Sequence, residues 1–543
     1  TCNSGNEDII LNNVVIFNGK EESTVRGSVR IDGNRIRTVS TEPIGSDRDR
    51  PVEVIDGQGK FLMPGLIDAH WHAFLAPNTT MDLMTADESY TQLKAGREAE
   101  RTLLRGFTTI RDAGGPVFGL KRAIDEGIVA GPRIFPSGSM ISQTGGHGDF
   151  RAVYDIPRPF ECCDPTHTEM IGAATIADGP DAVAVAARNN LRLGASQIKL
   201  MVGGGAASLY DRLEDVQFFE EEVRTAVHAA ENAGTYVMVH VYVPEGIRQA
   251  IRAGVKSIEH GHLIDEETMK MIADNGVWLS MQPFTADDNT YPNEEQQRKH
   301  ETIVAGTDNT YKLAKKYGVR LAWGTDLLFN PAKAKDQNRG IAKLARWFSN
   351  YEILKMVTRD NAELLALSGR RNPYPGPLGT IETDALADLL LVDGNPLENI
   401  ELLTEPEKNF LLIVKDGTIY KRQASEGAGP ARGPPNGENT NGPSSWEHSP
   451  QSIPANNPIR PKLGRIPKGN DRRDREEQKA DDDPSRFCFV RRCSLNPYSD
   501  IRLGVSQRGG RPCAKKAKTF PANIQMKNNV KIGDPGDTRL MEE

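Results

Sequence analysis

Apolar and polar residues alternate along this chain in two rhythms. From residue 8 to about 60, short Val/Ile runs (DIILNNVVIFNG, GSVRIDGNRIRTVS, VEVIDGQGK) are broken by Asn-Gly, Asp-Gly and Gly turns, which is hairpin chemistry. The same style returns in LGTIETDALADLLLVDGNP and FLLIVKDGTIYKR, ending at residue 422. The two ends are expected to form one small β-sandwich, residues 8–60 as its first part and 372–422 as its second.

Between them, over residues 61–371, the rhythm becomes strand then helix. FLMPGLIDAHWH (61–72) reads as one buried strand, and its period of two puts His70 and His72 on the same face with Trp71 on the other. Seven further strands follow: FTTIRDA (107–113), PRIFPSG (132–138), QIKLMVGGG (197–205), TYVMVHVY (235–242), KSIEHGH (256–262), VWLSMQP (277–283) and VRLAWGTD (319–326). Helical stretches that end in Gly precede most of them, such as FFEEEVRTAVHAAENAG and PEGIRQAIRAG, the latter with Pro at its start. Eight such alternations predict an α/β fold, a (β/α)8 TIM barrel, whose active site sits at the C-terminal ends of the strands.

Composition narrows the function classes. A chain of 543 residues exceeds one ordinary core. A net charge of -7 and a pI near 5.9, with both signs interspersed, give no electrostatic case for nucleic acid. Mean hydropathy is -0.51, and no apolar run reaches the roughly 18 residues of a spanning helix. Six cysteines are too few for a disulfide scaffold. Cys162 and Cys163 are adjacent, about 3.8 Å apart at Cα, and are not expected to bridge each other. The opening Thr1-Cys2-Asn3-Ser4-Gly5 resembles the end of a lipoprotein signal, in which Cys2 is acylated. That reading places the protein at the cell envelope or periplasm; the alternative, a clipped fragment, leaves it cytoplasmic. Residues 423–543, rich in Pro, Gly, Asn and mixed charge, are expected to be a disordered tail.

Metal-competent residues fall at the predicted strand ends: His70, His72, Lys199, His240, His260 and Asp326. Singly, each has a bland reading, since a strand His is more often a satisfied core residue and a Lys more often snorkels. Six at matching positions point to a shared metal site. Tyr242, two after His240, either donates its phenol to a substrate carbonyl or simply packs. His147, in the loop TGGHGD, either contacts substrate or belongs only to its loop. His228 and His262 are expected to be structural, and His167, His300 and His448 solvent-exposed. Gly203-Gly204-Gly205 lacks the Lys and Ser/Thr of a phosphate loop and reads as a wide turn where substrate passes close to backbone. The long insertion 139–178 is expected to wall the pocket.

The words PGLIDAHWH, GFTTIRDAGG, ISQTGGHGD, IKLMVGGG, VHVY, SIEHG and WGTD resemble the amidohydrolase superfamily, over about residues 8–422. The closest likeness is to its imidazolonepropionase-related branch, which includes Xaa-Pro dipeptidases and carboxypeptidase-like enzymes. The resemblance implies two divalent ions, most simply zinc. His70, His72 and Asp326 would hold one, His240 and His260 the other, and an N6-carboxylated Lys199 would bridge them. Burial destabilises a lysine ammonium, and the neutral amine captures carbon dioxide. The implied chemistry is amide hydrolysis by a metal-bridging hydroxide, with Asp326 shuttling the proton and Tyr242 and His147 touching substrate. The implied substrate is a small-molecule amide, a dipeptide or an N-acyl amino acid. Its carboxylate would meet His147, Tyr242 and the N–H groups of Gly203 to Gly205, with Arg151 or Arg212 supplying charge from neighbouring loops. A single-metal cyclic-amide hydrolase, a lactonase and an inactive binding protein on the same scaffold stay open, as does a homo-oligomer.

Overall fold

The computed structural model describes residues 8–46, 51–155, 165–288 and 290–423. All of them lie in the first of two compact units, residues 1–435. Cys2, the Cys162–Cys163 pair, His448 and all but the first residue of the expected tail lie outside the described residues.

The two ends of this unit meet in one hydrogen-bonded sheet of eight strands: β1 (Asp8–Ile16), β2 (Val25–Asp32), β3 (Arg35–Ser40), β4 (Val52–Asp56), β5 (Phe61–Pro64), and, from the far end, β16 (Leu389–Val392), β17 (Phe410–Lys415) and β18 (Thr418–Arg422). The order is β18-β17-β16-β5-β1-β2-β3, with β4 parallel to β1. The two ends, expected as a small β-sandwich, are joined by backbone pairing within a single sheet, β5 against β16 in antiparallel register from Phe61↔Val392 to Pro64↔Leu389. An isolated bridge from Arg35 to Leu386 brings β3 back to the segment leading into β16. Period-two alternation gives this sheet two apolar faces. Leu62, Leu412 and Val414 join the sheet's own core with Ile9, Leu11, Val29 and Leu389, while Phe61, Met63 and Ile413 pack into the large core of the central region.

The run 61–72 is two strands, not one. Its apolar pattern is continuous, but at Pro64-Gly65 the chain leaves β5 and starts β6 (Leu66–Trp71), which pairs with a different sheet. Gly65 donates its N–H to the Asp388 carbonyl at 2.9 Å, and a Cβ there would sit 2.1 Å from Thr108 Oγ1. Only glycine fits between the two sheets.

β6 runs parallel to β7 (Phe107–Asp112) and β7 to β8 (Arg133–Phe135). A second parallel sheet of seven strands has the order β10-β9-β11-β12-β13-β14-β15, comprising β9 (Met140–Ser142), β10 (Ala174–Ile176), β11 (Ile198–Met201), β12 (Val237–Val241), β13 (Ser257–His260), β14 (Trp278–Met281) and β15 (Leu321–Trp323). Single backbone hydrogen bonds tie both edges of the three-stranded sheet to the seven-stranded one, Asp326 N–H to His70 O at 2.8 Å and Ser196 N–H to Pro136 O at 2.7 Å. β9 and β10 arise from the long insertion.

Helices connect these strands as the pattern requires. Glu220–Ala233 buries Val223, Ala226, Val227 and Ala230 on one stripe and stops at Gly234 (φ 78), and Pro244–Ala253 buries Ile247, Ala250 and Ile251 and stops at Gly254 (φ 101). Each fully buried aliphatic side chain contributes about 1.5–3 kcal/mol, so these stripes, more than helix propensity, hold the helices to the sheet. Among the described residues no helix is long and apolar enough to cross a membrane.

Candidate metal centre

The predicted ligands converge at the C-terminal ends of strands from both sheets. On β6 alternation puts Asp68 and His70 on one face; His72 lies one residue beyond the strand, Lys199 is on β11, His240 on β12, His260 on β13 and Asp326 three residues past β15. One ligand atom from each of His70, His72 and Asp326 lies within 4.8 Å of the others. Asp326 Oδ1 is 3.3 Å from Nε2 of both His70 and His72, and Lys199 Nζ is 3.4 Å from His70 Nε2. The His260 ring lies 5.0 Å from that of His70 and 4.4 Å from that of His240.

Each histidine has one ring nitrogen engaged by the protein. His70 Nδ1 meets Glu259 Oε2 at 2.8 Å, His72 Nδ1 the Gly114 carbonyl at 2.9 Å, His260 Nδ1 the Gln282 Oε1 at 2.7 Å, and His240 Nε2 the Gly204 carbonyl at 3.1 Å. These acceptors take the ring proton and leave the opposite nitrogen as a lone-pair donor, the state a metal needs. Burial holds His240 and His260 well below the ordinary histidine value, so both are neutral. Burial also brings the Lys199 ammonium down to about 8, against the pull of Glu259 and Asp326. Burial alone would raise Asp326; the His70 and His72 rings outweigh it and keep the carboxylate ionised. The donor set therefore fits a divalent ion.

Two of the predicted ligands sit in backbone that L-residues avoid. His260 has φ 79 and Asp326 φ 52, a cost of about 1–3 kcal/mol each. At His260 the departure from strand geometry breaks the period of two, so Glu259 and His260, although adjacent, both reach the interior. Gly324 lets the end of β15 press on β6, since a Cβ there would lie 2.4 Å from His70 N.

One layer nearer the N-terminal ends of the strands lies a group that motif reading missed. Arg111, fully buried on β7, donates to Ala69 O at 2.5 Å, Tyr236 OH at 3.2 Å, Ser257 Oγ and Ser280 Oγ at 3.3 Å, and Glu259 Oε2 at 2.7 Å. It thus joins strands of both sheets. Burial would raise Glu259, but Arg111 and His70 outweigh it and hold the carboxyl far below its usual range. Asp68 ties the layer to the loop after β15, accepting from His70 N at 3.0 Å, Thr325 Oγ1 at 2.5 Å and Gln337 Nε2 at 3.0 Å. Nearby, burial pushes Asp112 up to about 7. A charge inside an apolar strand word, Arg in FTTIRD and Glu in SIEH, was the available signal.

His147 and Tyr242 both reach the centre. The His147 ring stacks on His240 at 4.0 Å between centroids, with Nδ1 2.8 Å from Ser208 Oγ. Tyr242 stacks on His260 at 4.9 Å and lines the cavity at the centre. Two of the three glycines serve the protein rather than substrate: a Cβ on Gly205 would lie 2.2 Å from His147 Cε1 and one on Gly204 1.8 Å from Arg212 O. Their N–H groups are also engaged, Gly205 by Asp211 Oδ2 at 2.9 Å and Gly204 by Asp215 O at 3.3 Å. The loop is closed by buried Lys299, whose Nζ donates to the carbonyls of Gly205, Ser208 and Asp211 at 3.0, 3.2 and 2.6 Å.

A cavity of about 720 Å³ opens from the centre, lined by Met140, His147 and Phe150 of the insertion and by Phe284, Tyr291 and Phe329. Arg151 and Arg212 do not line it; Arg151 pairs with Asp149 at 2.7 Å and exposed Arg212 faces Glu214 at 3.8 Å. His300, expected to be exposed, is buried and lines the cavity. It belongs to the buried stripe Gln296, His300, Ile303, Thr307 of the helix Glu294–Tyr317, a spacing that outweighs its polarity. His262 is buried as expected of a structural residue, its Nε2 2.9 Å from Gln282 O, and His167 and His228 are exposed.

Residues 61–420 match the model of the Amidohydrolase family. The ochratoxinase of Aspergillus niger is 29% identical over 407 residues, covering 72% of this chain and 82% of that protein. The imidazolonepropionase of Anaeromyxobacter sp. (strain K) is 26% identical over 402 residues, 67% of this chain and 83% of that protein. A crystal structure of a prolidase complexed with N-methylphosphonate-L-proline superposes with a TM-score of 0.69 at 33% identity, covering 77% of this chain and all of the other. With a family model matching most of it and with these relatives, the chain belongs to the amidohydrolase family, in the branch of imidazolonepropionase and the prolidases, and is a hydrolase of carbon–nitrogen bonds.

Proposed function

We propose that the protein is a binuclear metal-dependent amidohydrolase that cleaves the amide of N-acyl amino acids or dipeptides, in a barrel closed from the two parallel sheets. The observation that carries this reading is the convergence of His70, His72, Lys199, His240, His260 and Asp326, each histidine oriented by a protein acceptor. The two edge hydrogen bonds and the reach of Arg111 across both sheets support closure. The relatives' names, ochratoxinase and prolidase, and the N-substituted proline bound in one of them support an amide beside a carboxylate.

His70, His72 and Asp326 would hold one ion, His240 and His260 the other, and Lys199, as a carbamate, would reach both. When bound, the two ions, most simply zinc, supply Lewis acidity at the scissile carbonyl and make a water nucleophilic. Tyr242 donates its hydroxyl to the carbonyl oxygen as charge develops there. Asp326, partly exposed to the cavity, takes the proton of the attacking water and returns it to the departing amine. His147 braces His240 and faces the substrate. Phe150, Phe284, Tyr291 and Phe329 line the cavity and exclude water from the bound substrate.

A single-ion reading has one observation in its favour: His70, His72 and Asp326 already suffice to hold an ion. Elemental analysis separates the two. The binuclear reading expects two ions per chain, and in Lys199→Ala loss of metal and activity, partly restored by short carboxylic acids. Full turnover with one ion, or by the alanine variant, refutes it. A screen of dipeptides, N-acyl amino acids and lactones tests the substrate; turnover of lactones alone would overturn the amide assignment.

A further inference from the structure

Outside the metal centre the cavity is lined by three cations, Lys333, Arg339 and Lys343, and three carboxylates, Asp287, Asp288 and Asp336. Their charges cancel, so selectivity for a charged substrate must come from a local contact rather than a net field. Lys343 pairs with Asp288 and donates to Thr285 Oγ1 at 2.7 Å. Arg339 Nε lies 3.4 Å from Asp336, and Asp287 accepts from Thr285 Oγ1 at 2.6 Å. Among the described residues lining the cavity beyond the centre, Lys333 is the one cation with no carboxylate at ion-pair distance. It sits seven residues after Asp326 in the same loop, which is pinned by Phe329 N–H to Leu75 O at 3.0 Å.

A second observation points to the same part of the cavity. His300 is 2% exposed, yet its Nε2 has no partner among the described residues. Such a buried, unmet nitrogen is costly unless a ligand meets it. Phe284 and Tyr291 flank the ring at 6.3 and 5.9 Å. The Lys333 charge reaches it, adding to burial in keeping the imidazole neutral. With its proton on Nε2 the ring donates a hydrogen bond there, and Lys333, lining the same cavity, is a charged donor.

We propose that Lys333 and His300 form the subsite that reads the substrate's free carboxylate, one oxygen against Lys333 Nζ and the other against His300 Nε2, while the scissile amide lies at the metal centre. This rests on the amide-hydrolase reading above, and it replaces Arg151 and Arg212 as the source of positive charge.

The probes are N-benzoyl-L-phenylalanine and its C-terminal amide, read by benzoate release from zinc-loaded full-length protein, with metal content and far-UV circular dichroism of each variant as controls. Wild type is expected to cleave both and to prefer the acid. A charge-assisted hydrogen bond at a partly exposed lysine is worth about a factor of ten, so Lys333→Met should raise KM for the acid about tenfold and leave the amide within about twofold. Lys333→Arg should recover part of the preference, and His300→Phe should lose more of it than His300→Gln. A Lys333→Met protein that keeps wild-type preference, or that loses both substrates equally, overturns the subsite while the hydrolase reading stands. If wild type releases benzoate from neither probe, the amide-hydrolase reading for this substrate class fails and the subsite falls with it.

Discussion

Replacing Arg111 with Met tests whether the buried layer beneath the ligands is one electrostatic unit. Arg111 and Glu259 are both fully buried and 2.7 Å apart. Met has nearly the reach of Arg, so the cavity cost is small, and the main loss is electrostatic. Removing one partner of a buried pair typically costs about 3–5 kcal/mol, because the other charge is left uncompensated. The Ala69 carbonyl also loses its donor, adding about 1 kcal/mol. A total of about 4–6 kcal/mol is a large part of the 5–15 kcal/mol that stabilises a typical fold.

The double variant Arg111→Met/Glu259→Gln supplies the diagnostic. Gln keeps an acceptor toward His70 and offers its amide toward Ser257 Oγ, which donates to Glu259 Oε1 at 2.5 Å in the native chain. With no unpaired charge left, about 2–3 kcal/mol should return relative to the sum of the single variants. Urea unfolding of all four proteins, with matched metal content, measures the coupling. Strict additivity would refute the pairing argument. Glu259→Gln alone should also weaken metal retention about ten- to a hundredfold, because Glu259 orients the His70 ring.

Gly205→Ala places a Cβ 2.2 Å from His147 Cε1; the ring must leave its stack on His240, so turnover should fall about tenfold with about 1–3 kcal/mol of stability, and an unchanged kcat would refute the bracing role. Lys199, with a value of about 8, is about one-tenth neutral at pH 7 and about nine-tenths at pH 9, so zinc incorporation in bicarbonate should rise over that range and be absent in Lys199→Ala. In the unmodified metal-free chain the same group binds its proton more tightly unfolded than folded, so its contribution makes stability rise as pH increases from about 8 toward 10.5. Flat uptake from pH 7 to 9 would count against carbamate formation.

Much of the architecture was legible because strand and helix periods differ so sharply. The strand from Ile198 to Met201, for example, needed only its apolar run and the Gly-terminated helix after it. The ligands were legible because histidines two apart on a strand face one way. Other features had signals that a competing pattern masked. The break at Gly65 hides inside an unbroken apolar run, and only the Pro-Gly pair marks it. His300 was expected to face solvent, whereas the spacing Gln296, Lys299, His300, Ile303, Thr307 traces the buried stripe of its helix. The triple glycine was read toward a ligand, whereas Gly205 and Gly204 are explained by packing against His147 and Arg212. Pairing partners far apart in sequence, such as Arg111 with Glu259, have no local signal beyond an unexpected charge in a strand.

The ligand geometry is set by the chain itself. His260 and Asp326 occupy positive φ at a cost that nothing in their own side chains offsets. The offset lies in fixed partners: Gln282 on the His260 ring, the His70 carbonyl on the Asp326 N–H, and Asp68 on Thr325 one residue earlier. Each partner is itself on a strand or tied to one, so the strained residues are over-determined from the interior outward. Arg111 and Glu259 do the same for His70 from below, and Lys299 does it for His147 from the loop above. The residues that would touch an ion or substrate therefore rest on a layer that touches neither, and substitutions in that layer should move metal affinity and turnover without changing which substrate is chosen. Choice of substrate belongs to the cavity wall, where among the described residues the fold leaves His300 Nε2 without a partner and Lys333 without an ion pair.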